Sequence, residues 1–332
     1  MDTPELDRAR DPNRREFLAL GVGALLVAGL PFAARRTPRV IRRAHPVMGT
    51  IAEFAVVHGD ARHAHAAIDA AMEELRRVER TMTRFTRTSD VGRANLAAPG
   101  VATLVTAETA LVSAEALRWA AGTGGAFDPA VGRLVELWSV NSRHEPPAAA
   151  AVQPLAHRRL FESLEADRVA RGPVLVRRDG DARLDLGAIG KGYAVDRAVD
   201  VLRRWGIRQA VVDVGGDLYA LGDGPDGGGW RIGIQSPDDP ARMAGELLVR
   251  DAAVATSGTY VQGFRYRGHL YHHLMNPETG APRETPERSL TIRAATCMVA
   301  DVAATALFGM TAAESRRRLD RLAPDAEVVR AM

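Results

Sequence analysis

The segment Asp185-Leu-Gly-Ala-Ile-Gly-Lys-Gly-Tyr-Ala-Val-Asp196 sets three glycines, at 187, 190 and 192, around Lys191. Glycines let a backbone come close to a ligand, and a helix opening there offers free N–H groups and the positive end of its dipole. With the Lys191 ammonium this makes an anion cradle suited to phosphate; the alternative is a tight glycine turn carrying a solvated lysine. Gly192 stands where a P-loop needs Ser or Thr, which argues against a P-loop nucleotidase. Asp301 and Thr305 lie four apart in an apolar stretch, so on a helix they share one face. A carboxylate and a hydroxyl there suit a hard cation such as Mg²⁺, although an Asp near a helix start also serves as a cap and a Thr can bond its own backbone. The third candidate is Tyr271-His272-His273-Leu-Met-Asn276-Pro277-Glu-Thr279-Gly280, a strand running into a turn. Adjacent strand residues face opposite ways, which argues against a two-histidine metal clamp. His273 is a candidate acid, base or hydrogen-bonding group, against a reading of one exposed and one structural histidine. The turns Gly124–Pro129 and Thr256–Tyr260 are polar and of the kind that line pockets.

These residues need elements to hold them. Alternation and β-branching predict strands over 49–57, 174–178, 182–186, 210–220, 230–235, 246–255, 269–275 and 289–295. Helical periodicity predicts 62–82, with Ile68, Met72, Leu75, Val78 and Met82 on one face, and further helices over 107–121, 129–139, 190–205 and 299–310. Residues 143–156 mix Pro, Ala and charge, as in a surface connection or a loosely packed helix. The order is neither a βαβα repeat nor all-β, so the expected class is α+β with a mostly antiparallel sheet core and surrounding helices. No strand leads into G-x-G-x-x-G, which argues against a Rossmann dinucleotide site.

The chain has 332 residues, 46% hydrophobic and 26% charged, enough to bury a full core without staples. Its 44 basic and 41 acidic side chains leave a charge of +3 with no basic run, so a nucleic-acid partner is not expected. A single cysteine, Cys297, allows no internal disulfide and no multi-cysteine metal site. Of the basic residues 43 are Arg and one is Lys, at 191. A bias that converts every interchangeable Lys to Arg singles out the one that stays, since a compact ammonium suits a phosphate or a tight pocket.

Arg14 and Arg15 precede Phe17-Leu18 and an uncharged apolar stretch to Ala34, closed by Arg35 and Arg36. This is the pattern of a twin-arginine export signal over residues 1–36, followed by a domain over 40–332. Three glycines and Pro31 in the apolar stretch favour a signal over a stable span, with an uncleaved membrane anchor as the alternative. No Cys follows it, so a lipoprotein is excluded. The expected location is periplasmic or otherwise extracytoplasmic.

Taken in order, Met48-Gly-Thr50, Phe85 to Asn95, Ala126-Phe-Asp-Pro129, Asp185 to Asp196, Val214-Gly-Gly-Asp217, Ala255-Thr-Ser-Gly258, His273 to Gly280 and Ala300-Asp301 to Thr305 resemble the ApbE family, the FAD:protein FMN transferases. The resemblance implies an ApbE-like, T-fold-like domain that binds FAD, with Mg²⁺ held by Asp301, Thr305 and the backbone oxygen of Ala188. Contacts to FAD would fall to Met48, Phe85, Ala126, Phe127, Asp128, Asp185, Lys191, Ser257 and His273. The implied reaction moves FMN from FAD to a Thr or Ser hydroxyl of a partner protein and releases AMP, with His273, Lys191 and Asp301 as the catalytic residues. The implied partner is a flavin-acceptor protein, an electron-transfer subunit at the membrane. Phe85 stands where Tyr is also common and Asn276 where Asp is frequent; both keep the shape. Two other functions use the same residues: a Mg²⁺-dependent FAD pyrophosphatase, with water as acceptor, and an FAD-binding protein without turnover.

Overall fold

In a computed structural model the described residues are 39–332, apart from Pro240 and Val261. The export segment assigned to residues 1–36 lies outside them. Among the described residues, no helix is long and apolar enough to cross a membrane.

The chain enters on β1 (Val40–Val47) and β2 (Thr50–Val57), paired along their whole length. The two residues between them, Met48 and Gly49, both have positive φ, the conformation whose twist matches a two-residue hairpin. Asp60 then caps α1 (Ala61–Met82), accepting from the N–H groups of Arg62 and His63. This helix buries Ile68, Met72, Leu75, Val78 and Met82, the predicted face. Each such side chain contributes roughly 1.5–3 kcal/mol through the surface it removes from water. Next come α2 (Asp90–Leu96), β3 (Thr103–Leu104), α3 (Ala107–Thr123), α4 (Gly132–Trp138) and the one-turn α5 (Ala149–Val152). The strands β4 (Leu164–Val169) and β5 (Gly172–Arg177) join β3 in a small sheet.

The second half holds α6 (Gly190–Arg204), β6 (Ala210–Val214), β7 (Asp217–Leu221), β8 (Trp230–Gln235), β9 (Met243–Val249) and β10 (Ala252–Gly258). The short hairpins β11 (Gly263–Tyr266) with β12 (His269–His272) and β13 (Met275–Asn276) with β14 (Ala281–Pro282) follow. The chain closes with β15 (Ser289–Ala294), α7 (Cys297–Leu307), α8 (Ala312–Leu322) and β16 (Glu327–Ala331).

Seven strands form the main sheet in the order β1-β2-β6-β7-β10-β15-β16, every neighbouring pair antiparallel. One face carries Phe54, Val212, Tyr219 and Ile292 into a core shared with α1, α3, α6 and α7. The opposite face buries Val211, Leu218 and Val254 under Trp230 and Ile232 of the β8–β9 hairpin. The class is the expected α+β with an antiparallel core.

Several boundaries differ from the sequence reading. The 210–220 run is two strands, split where Gly215 and Gly216 take positive φ and turn the chain back. The 246–255 run is likewise divided at Asp251, itself at positive φ. Segment 182–186 is extended but joins no ladder; Arg183 makes only an isolated bridge to Val131. Eight elements went unpredicted: β1, α2, β3, β4, β11, β14, α8 and β16. Ser89, which caps α2, and the capping box of Thr311 and Glu314 that opens α8 are the local signals for the two helices.

Candidate active site

The glycine-rich cradle opens α6, and its geometry depends on α7. No side chain of its own caps α6. The N–H of Gly192, one of the first-turn donors that a helix leaves without an internal partner, donates to Asp301 Oδ2 at 2.9 Å. Asp196 returns the arrangement: its two carboxylate oxygens accept from the N–H groups of Cys297 and Met298, at 2.7 and 2.9 Å. Close crossing requires glycine at 192, because a Cβ there would lie 2.2 Å from the carbonyl oxygen of Cys297 and 2.8 Å from Asp301 Cβ.

Lys191 leaves the same turn of α6 and reaches two carboxylates. Its Nζ sits 2.6 Å from Asp217 Oδ2 at the start of β7 and 3.4 Å from Asp301 Oδ1. Burial works against the ammonium, but the two carboxylates overcome it and hold Lys191 charged beyond the ordinary lysine range. Burial and the charge of Asp301 push the Asp217 carboxyl upward, with Lys191 opposing. One cation therefore bridges two acidic groups that are each almost wholly out of solvent. Thr305, one turn beyond Asp301 on α7, has its hydroxyl 3.1 Å from that of Ser257 on β10.

His273 follows directly on β12. Its Nδ1 is buried and has no hydrogen-bond partner. Burial, followed by the neighbouring His272, lowers its pKa to about 4, and Lys191 acts in the same direction. The ring is neutral at neutral pH and lies within the field of the cradle lysine. His272 plays the structural part foreseen for one of the pair: buried, with Nε2 2.9 Å from the carbonyl of Arg283 and Nδ1 accepting from the Leu274 N–H.

The remaining candidates divide by what their side chains do. Met48 occupies the β1–β2 turn, and its N–H donates to Glu79 Oε1 at 2.8 Å. Phe85 is 78% exposed, with the Arg84 guanidinium 4.3 Å from its ring centre. Asp185 accepts from the Gly187 N–H at 2.8 Å through Oδ1 and pairs with Arg84 Nε at 2.9 Å through Oδ2. Phe127 is a core residue, so only its backbone is available to a ligand. Asp128 is buried and holds its own turn, accepting from the N–H groups of Ala130 and Phe161 at 2.7 and 3.1 Å. The Ala126 carbonyl accepts from Arg283 Nη2 at 2.7 Å.

Three contributors escaped the sequence reading. Asp217 was visible as an acid beside a Gly-Gly turn in an apolar run, but its lysine partner is distant in sequence. Arg84 was one of 43 arginines. Arg283 donates to the carbonyls of Ala126, Met275 and Phe308, so one guanidinium ties together the 126–128 turn, the turn after His273 and the end of α7.

The proposed Mg²⁺ donors, the Asp301 carboxylate, the Thr305 hydroxyl and the Ala188 carbonyl, are all hard oxygens, the set such an ion prefers. The structure places Asp301 and Thr305 one turn apart beside the cradle loop that carries Ala188, so the residues fit the ion. Among the described residues no group of three His, Cys, Asp or Glu side chains forms a metal cluster.

The sequence profile of the ApbE family matches residues 48–329. An FAD:protein FMN transferase of Vibrio cholerae is 31% identical over 314 residues, covering 91% of this chain and 92% of that protein. One of Treponema pallidum is 31% identical over 307 residues, covering 88% and 85%. Among solved structures, the flavin transferase ApbE from Vibrio cholerae superposes with a TM-score of 0.72 at 29% identity, over 85% of this chain and 90% of that one. The ApbE protein from Thermotoga maritima gives 0.77 at 28% identity, over 87% and 93%. Since the profile runs from the Met48 turn into the last strand and so spans every element that builds the cradle, the chain belongs to the ApbE family.

Proposed function

We propose that the protein is a Mg²⁺-dependent FAD:protein FMN transferase. The acceptor hydroxyl of a Thr or Ser attacks the FMN-side phosphorus of the FAD diphosphate; a new P–O bond forms, the bond to the AMP phosphate breaks, and the hydroxyl proton is lost. The observation that carries this reading is the meeting of Lys191 and Gly192, at the opening of α6, with Asp301 of α7, one helical turn from the Ser257–Thr305 pair, in a chain similar over nine-tenths of its length to an FAD:protein FMN transferase. Asp301, Thr305 and the Ala188 carbonyl would hold Mg²⁺, whose chemistry is to neutralise the diphosphate and polarise the attacked phosphorus.

The chain's own groups do the rest. The positive end of the α6 dipole and the charged Lys191 offer the diphosphate a potential already oriented before substrate arrives. Asp217 fixes the lysine. His273 presents a neutral ring nitrogen able to accept a proton or a hydrogen bond, and exposed Phe85 offers a ring to stack on. Export by the twin-arginine route, which carries folded proteins, would bring the enzyme to an extracytoplasmic electron-transfer acceptor.

The test is incubation of the protein with FAD, Mg²⁺ and a candidate acceptor domain, followed by intact mass of the acceptor and analysis of free nucleotides. A gain of one FMN with release of AMP, abolished by EDTA, is expected. Free FMN and AMP without covalent product would instead assign the hydrolase, and intact FAD in the presence of Mg²⁺ a binding protein.

A further inference from the structure

We propose that Arg84 is a positioning residue that holds Phe85 as a preformed stacking platform and couples it to the anion cradle through Asp185. The inference rests on the FAD reading above and adds to it a residue that touches neither phosphate nor metal.

Arg84 and Phe85 follow directly on the Thr83 cap of α1, where the chain leaves the core. The Arg84 side chain is only 12% exposed, low for a guanidinium between a helix end and a loop. Its Nε lies 2.9 Å from Asp185 Oδ2 and its Nη1 3.1 Å from Glu136 Oε1 on α4, so two carboxylates fix its plane. Its Cζ then stands 4.3 Å from the centre of the Phe85 ring. A planar guanidinium stacks on an aromatic face, which a lysine ammonium does not.

The consequence is the state of the Phe85 ring. A large apolar side chain 78% exposed ordinarily folds back or samples several rotamers. Here one face is covered by a cation that is itself anchored twice, so the ring stands outward with its other face open to a ligand ring system. Asp185 joins this platform to the cradle: the carboxylate that pairs with Arg84 also accepts from the Gly187 N–H. Arg84 is thus anchored by the carboxylate that also shapes the cradle loop, so its place over the ring is set from the cradle side. Preorganisation of this kind improves affinity by removing the ordering cost at binding.

A double-mutant cycle on FAD affinity tests the coupling, using Arg84→Met, Phe85→Ala and the pair, with melting temperature recorded for each. Arg84→Met and Phe85→Ala are each expected to weaken FAD binding about tenfold. The double variant is expected to lose little more than the worse single, because the arginine acts through the ring. A product of the two losses, near a hundredfold by that arithmetic, or wild-type affinity in Arg84→Met, overturns the proposal. Should Arg84→Met fail to fold, Arg84→Lys keeps a charge beside Asp185 without the planar face. It is expected to melt within a few degrees of the wild type and yet bind FAD more weakly, and undiminished affinity there overturns the role. A wild-type protein that binds no FAD defeats the functional reading itself, and the role of Arg84 with it; that outcome is distinct from an additive cycle in a protein that does bind.

Discussion

Asp196 of α6 and Asp301 of α7 cap each other's helices. Asp196 accepts from the first N–H groups of α7, and Asp301 accepts from the Gly192 N–H in the first turn of α6. Each carboxylate sits at the positive end of the partner helix's dipole. Asp301 is thereby held in place by the protein itself, with one oxygen on Gly192 and the other toward Lys191.

Asp301→Asn separates charge from geometry. The amide oxygen can still accept from Gly192, so the melting temperature should move by only a few degrees, while FMN transfer should fall at least about 100-fold for want of the negative donor. Calorimetry beside a transfer assay checks both, and activity within threefold of wild type would remove Asp301 from the mechanism.

Two neighbouring glycines should respond differently to alanine. Gly192→Ala drives a Cβ into the Cys297 carbonyl and should cost about 3 kcal/mol or prevent folding. At Gly190 the nearest atom to an added Cβ is 3.9 Å away, so Gly190→Ala should be tolerated. Urea unfolding of the two variants compares them, and equal midpoints would contradict the close crossing.

His273 should be neutral across the working range. Burial lowers its pKa to about 4, so the ring binds no proton near neutrality. The pH–rate profile of transfer should therefore lack a histidine limb near 6.5, and the His273 imidazole resonances should titrate only near pH 4. A limb near 6.5 that vanishes in His273→Gln would refute this.

Asp128 should make the fold less stable as the solution becomes less acid. Burial raises its carboxyl to about 6 from the ordinary 3.8. The folded protein therefore keeps that proton where the unfolded chain has lost it, and stability falls as pH rises from about 4 to about 6. The full effect is on the order of 2–3 kcal/mol. In Asp128→Asn this slope should become shallower in denaturation curves taken at several pH values, Asp196 and Asp217 keeping their raised carboxyls, at the cost of the Phe161 N–H acceptor.

What the sequence by itself determined lies close along the chain. The period of 62–82 identified α1 and its buried face, because a helix repeats its own geometry every few residues. The glycines around Lys191 located the cradle, since their backbone freedom is a property of the residue. Spacing alone put Asp301 and Thr305 on one helical face. The ordered motifs, spread over most of the chain, identified the family.

Only the tertiary structure decided which groups meet. Lys191 could have been a solvated lysine; β7 and α7 bring Asp217 and Asp301 to it from positions 26 and 110 residues further on, by the numbering of the chain. Asp301 was open to reading as an ordinary cap or as a ligand, and it caps a helix other than its own while keeping an oxygen toward the lysine. Asp128 and Phe127 read as ligand contacts in a motif, yet their side chains hold a turn and fill the core. The physical reason is that propensity and spacing act over one or two turns, whereas helix crossing and strand order are set by how the whole core packs. Carboxylates in such a core are placed by distant N–H groups and cations that no local pattern reveals.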